Sequence, residues 1–122
     1  IAALLLGAKK AVGVGIDEVA ARTAGENAER NGVGDRCTAS CGSFTDKVEG
    51  KYDIVLANIV ADAIMFLSKG VKDFMKDDAV YIMSGIIDTR GEEVKASVSK
   101  YFDIIEEHRD GGWVCLAAKI KA

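Results

Sequence analysis

The feature that most constrains this chain is the run Tyr52-Asp53-Ile54-Val55-Leu56-Ala57-Asn58, almost unbroken in apolar residues and stopped by a polar one. A stretch this short reads as a strand buried on both faces of a parallel sheet. Ala11 to Ile16 ends the same way at Asp17, and Ala79 to Ser84 repeats the pattern. Between these runs the period changes. Alanines recur at helical spacing from Asp17 through Asn31, with Asp17 as the N-cap and Asn31-Gly32 as left-handed stop residues. Ile64, Leu67, Val71 and Phe74 predict a helix from about Ala61 to Met75, Lys76-Asp77-Asp78 a turn, and Asp88 to Lys100 an amphipathic helix. Cys37 to Cys41 reads as a short strand broken by Gly42-Ser43. Tyr101 to Glu107 and Trp113 to Ile120 read as strands joined by a tight turn at Asp110-Gly111-Gly112. Alternating strands and helices imply an α/β fold with a mostly parallel sheet, and the final hairpin adds an antiparallel strand.

With 122 residues, 49% of them hydrophobic, residues 1–122 can form one domain with its own core. The formal charge of −3 supplies no basic field, which argues against direct capture of nucleic acid. Cys37, Cys41 and Cys115 lack paired metal or disulfide spacing, so a reducing, cytoplasmic compartment is expected, with the cysteines acting as small apolar residues. The apolar start, Ile1 to Leu6, is far shorter than the roughly 20 residues a membrane crossing needs. It reads as the end of a helix capped by Gly7, so further sequence is expected upstream.

In open α/β sheets ligands bind at the carboxyl ends of strands. Here those ends are Gly15-Ile16-Asp17, Gly42-Ser43-Phe44, Asn58-Ile59-Val60 and Ser84-Gly85-Ile86. Asp17 can accept hydrogen bonds from the two hydroxyls of a ribose, or cap the following helix, and the two roles are compatible. Gly13-Val14-Gly15 invites comparison with a dinucleotide loop, but the third glycine of that motif would fall at Glu18. A nicotinamide-dependent oxidoreductase is therefore the alternative enzyme class, and a non-catalytic interaction module the alternative outside enzymes.

The blocks Ala11–Asp17, Glu26–Val33, Tyr52–Ala61, Ser84–Ile87 and Asp110–Leu116 resemble successive segments of the ribosomal protein methyltransferase family called PrmA. The resemblance implies a Rossmann-like class I methyltransferase sheet that lacks its first strand and glycine-rich loop. It also implies S-adenosylmethionine as cofactor and methylation of lysine or N-terminal amines on a ribosomal protein. Gly15, Ile16, Asp17, Ser43, Phe44 and Asn58 then fall at cofactor-binding positions, with Ser43 at the adenine edge. Asn58 is the catalytic candidate: its side-chain oxygen can accept an amine hydrogen and aim the lone pair. The family usually carries an acid where Gly15 stands. The missing strand would leave two strand edges unpaired, to be filled by the same chain or another subunit, and the piece alone is expected to be inactive.

Other residues receive plainer readings. Asp53 is either a partner of the missing loop or an exposed acid at a strand start. His108 is expected at the surface, Trp113 buried in the last strand pair, and Glu92-Glu93 and Glu106-Glu107 on solvated faces.

Overall fold

The computed structural model describes residues 1–15, 17–42 and 50–121. The chain divides into two compact units, Ile1–Glu49 and Gly50–Ala122.

In the first unit a short helix α1 (Ala2–Leu5) precedes strand β1 (Ala11–Gly15), helix α2 (Glu18–Arg30) and strand β2 (Cys37–Cys41). β1 and β2 pair in parallel, with Ala11 opposite Cys37 and Gly15 opposite Cys41. Leu4, Ala28 and Val33 form the buried cluster, with Ala8, Ala11 and Cys37 packed against it. The Arg36 guanidinium donates to the Ala8 carbonyl at 3.0 Å and so fastens the start of β2 to the segment before β1. Asp17 caps α2 as expected: its Oδ1 accepts from the Val19 amide at 2.9 Å. The stop differs in one residue, since Asn31 keeps φ at −96° and only Gly32 is left-handed, at φ 74°. Asp17→Ala is expected to cost roughly 1 kcal/mol by orphaning that amide, read as a lower urea midpoint at unchanged slope.

The second unit contains β3 (Tyr52–Asn58), α3 (Ala61–Ser68), β4 (Met75–Ile87), α4 (Gly91–Val98), β5 (Phe102–Asp110) and β6 (Trp113–Ile120). Its sheet has the order β3-β4-β6-β5, with β3 parallel to β4 and β6 antiparallel to both neighbours. The hairpin turns at Gly111 and Gly112, whose φ of 57° and 86° are the pair that a two-residue turn matched to strand twist requires. Among the described residues β1 pairs only with β2 and β3 only with β4, so one edge of each strand has no ladder partner.

The core of this unit gathers Ile64 from α3, Val94 and Val98 from α4, and Tyr81, Met83, Phe102, Val114 and Leu116 from the sheet. The Tyr81 and Phe102 rings lie 5.2 Å apart between centroids. Ser68 donates to the Ile64 carbonyl at 2.7 Å, which uses its one hydroxyl hydrogen, so the buried Tyr81 phenol donates to Ser68 across 3.1 Å. Burial pushes the Tyr81 phenol above its usual range.

Four expectations are corrected. The helix beginning at Ala61 stops at Ser68, and after Gly70 a 3₁₀ turn (Val71–Phe74) leads into β4, which begins at Met75 and runs through the predicted turn. Glycine is a poor helix former, and burying Val71 and Met75 in the core favours the tighter path. The helix from Asp88 is likewise divided into a 3₁₀ turn (Asp88–Arg90) and α4. Within its own unit β3 is covered on one face: Val55 and Ala57 face the core, whereas Ile54 and Leu56 are 58% and 65% exposed. Trp113 is 57% exposed rather than buried, because Val114 takes the inward position at the start of β6.

Candidate active site

Among the described candidates, Gly15 ends β1 in the first unit and Asn58 ends β3 in the second. In the first unit, Gly15 ends β1 opposite Cys41, and the Gly42 amide donates to the Gly15 carbonyl at 2.9 Å, which brings the two strand tips side by side. Asp17 follows with Oδ1 engaged by the helix amide, while its second oxygen accepts from no described residue. A Cβ on Gly15 would meet no atom of the described residues within 4 Å. Gly13 and Gly15 lie within β1, so neither belongs to a turn that could wrap a phosphate. Ile16, Ser43 and Phe44 lie outside the described residues.

In the second unit Asn58 is the last residue of β3 and stands opposite Ser84 on β4. Gly85 follows with φ at 77°, a left-handed conformation that other residues adopt at a cost. A Cβ built on Gly85 would come within 2.5 Å of Asn58 Oδ1 and 3.2 Å of the Ile59 carbonyl. The bare Cα is therefore the floor on which the Asn58 carboxamide rests. The Asp88 amide donates to the Gly112 carbonyl at 2.9 Å and ties the end of β4 to the hairpin turn. Ser84-Gly85-Ile86 is one of the strand tips in the sequence, where no pattern assigns Gly85 a task. An isolated glycine after a buried strand run was the available signal.

Around this end, Arg90 clamps the first turns of two helices, donating to Asp62 at 2.7 Å and to Glu93 at 2.8 Å. The Arg90 guanidinium holds both carboxyls below their usual range. Lys95 and Arg109 converge on Glu107 at 2.7 and 2.6 Å, and Arg109 also reaches Glu92 at 3.0 Å. Hydrogen bonds from Lys95 first, then Arg109, keep the Glu107 carboxyl low. Glu92, Glu93 and Glu107 lie on solvated faces, as expected, and there they also form ion pairs: Glu93 with Arg90, and Glu92 and Glu107 across α4 and β5. Asp53 is exposed and pairs with Lys76 at 3.2 Å, the plainer of its two readings. His108 is exposed beside Glu106, as expected for a surface residue. No group of three or more His, Cys, Asp or Glu among the described residues could hold a metal ion, and no described helix is long and apolar enough to cross a membrane.

The family model described as ribosomal protein L11 methyltransferase (PrmA) matches residues 1–121. A ribosomal protein L11 methyltransferase of Desulforamulus reducens is 44% identical over 110 residues, covering 89% of this chain and 36% of the relative. The crystal structure of a ribosomal protein L11 methylase from Lactobacillus delbrueckii subsp. bulgaricus superposes with a TM-score of 0.93 at 30% identity, over 99% of this chain and 63% of that one. The tRNA methyltransferase TrmK of B. subtilis, at 18% identity and a TM-score of 0.76 over 98% of this chain and 53% of that one, shares the fold alone. The chain spans little more than a third of the length of the Desulforamulus reducens relative, and its fold is of the Rossmann-like class I methyltransferase kind. On the match of the family model across residues 1–121, the chain belongs to the ribosomal protein L11 methyltransferase (PrmA) family.

Proposed function

We propose that the intact protein is a protein N-methyltransferase of the cytoplasm that transfers methyl groups from S-adenosylmethionine to lysine or N-terminal amines of a ribosomal protein. The observation that carries this reading is a neutral carboxamide, Asn58, at the carboxyl tip of a sheet strand in a chain of this family. The nucleoside fits what the first unit offers. Asp17 keeps one oxygen for ribose hydroxyls while the other caps α2, and no atom of the described residues crowds Gly15 at the strand end. Ile16, Ser43 and Phe44 are assigned to the same cofactor on the family resemblance.

When bound, S-adenosylmethionine supplies an electrophilic methyl group on a positively charged sulfur. The chain's task is to present a neutral amine in line with it. A lysine with an ordinary pKa near 10.4 is mostly protonated at pH 7, and removing that proton costs roughly 4 to 5 kcal/mol. Desolvation and a nearby positive charge lower the cost, so no strong side-chain base is required. Asn58 accepts one amine hydrogen through its carbonyl oxygen and aims the lone pair. Being neutral, it does not favour the ammonium form as an aspartate would.

Calorimetric titration of the intact protein tests the class: S-adenosylmethionine is expected to bind, and reduced nicotinamide not. Tight nicotinamide binding without S-adenosylmethionine binding would restore the oxidoreductase alternative. Gly15→Asp is expected to tighten S-adenosylmethionine binding about 10- to 100-fold, since a charge-assisted hydrogen bond contributes roughly 1.5 to 3 kcal/mol. An unchanged dissociation constant would remove the ribose role from this strand tip.

A further inference from the structure

We infer that Gly85 is a positioning residue for methyl transfer, its bare Cα seating the Asn58 carboxamide at the bulge of β4. The inference rests on the reading of Asn58 given above and adds a residue that acts through it.

Three features coincide at this glycine. The β3–β4 ladder makes its last pair at Asn58 and Ser84, so Gly85 is the first residue of β4 beyond it. The β4–β6 register shifts between Met83 and Ile86, which places Gly85 within the irregularity. Its φ is 77°, and a Cβ there would meet Asn58 Oδ1 at 2.5 Å, the Ile59 carbonyl at 3.2 Å and the Ile59 amide at 3.4 Å. Left-handed backbone alone could be met by asparagine or aspartate. The clearance cannot, because every other residue carries the atom that collides.

Of the three neighbours the carboxamide is the one able to move, since the other two are backbone atoms at the start of α3's approach. Any side chain at position 85 therefore displaces Asn58 first. A shift on the order of 1 Å in an aligning group costs up to about 100-fold in rate. Amide oxygen and nitrogen can be exchanged by a flip, so what Gly85 sets is the plane and seat of the group rather than the identity of the atom above it.

A double-mutant cycle in the intact protein separates this role from that of an ordinary turn glycine. Gly85→Ala is expected to lower kcat roughly 10- to 100-fold with the S-adenosylmethionine dissociation constant changed less than about threefold. In an Asn58→Ala background the same substitution is expected to change kcat by less than about twofold, because the group it displaces is gone. Gly85→Asn, which tolerates left-handed backbone, is expected to lower kcat as alanine does, and it carries the test where the alanine variant does not fold. Equal losses in both backgrounds overturn the inference, as does a parent-like kcat in Gly85→Asn. Unfolding of both variants even without the Asn58 carboxamide also overturns it, by placing the demand on the Ile59 backbone. A parent-like kcat in Asn58→Ala alone is a separate result: it removes the role of Asn58 itself.

Discussion

Asn58→Ala in the intact protein is expected to lower kcat by about 100- to 1,000-fold, the range seen when one preorganised polar partner of a reacting group is removed. The residue ends β3, stands opposite Ser84 and is packed over Gly85, so truncation disturbs little besides the carboxamide. Asn58→Asp makes a sharper test of mechanism. A carboxylate near the incoming amine stabilises its ammonium form and raises its pKa, so the rate lost at neutral pH should return as pH rises. Single-turnover rates measured across pH for the parent and both variants decide the matter. An alanine variant within about threefold of the parent, far below the loss expected of such a partner, would end the assignment.

Phe102→Ala carries the largest expected effect on stability. The side chain is fully buried, and its ring meets that of Tyr81 at 5.2 Å in a core that also holds Ile64, Val94 and Leu116. Removing it forfeits the burial and leaves a cavity, a loss of roughly 3 to 5 kcal/mol. That is a large fraction of the 5 to 15 kcal/mol by which domains are typically stable. The urea midpoint should fall while the slope holds. His108→Ala, at an exposed position further along the same strand β5, should stay within about 0.5 kcal/mol of the parent. A Phe102→Ala midpoint equal to that of His108→Ala would mean that this cluster does not hold the unit together.

Part of this structure was legible because it depends on local chemistry. Tyr52–Asn58 and Trp113–Ile120 have the bounds read from their apolar runs, and Asp17 caps its helix as its position before the alanine pattern requires. The Gly111-Gly112 turn needs only the two left-handed residues that glycines supply. Each of these is a demand made within a few residues of chain. The apolar spacing from Ala61 overruns the helix because a long-range demand intervenes: the paired strand claims Met75, opposite Tyr52, for β4. The exposure of Ile54, Leu56 and Trp113 was not legible either, because an apolar run reports what a residue can bury and not what lies across from it.

The sequence by itself determined the order of strands and helices and the polar residues at the strand tips, since these follow from residue type and spacing, and its blocks carried the resemblance to the family. Only the tertiary structure decided that Gly85 lies beneath Asn58, that α4 and β5 exchange ion pairs, and that the strands of the described residues form one two-stranded and one four-stranded sheet. Those depend on register between segments distant in sequence, and no local pattern encodes which atom meets which across a ladder.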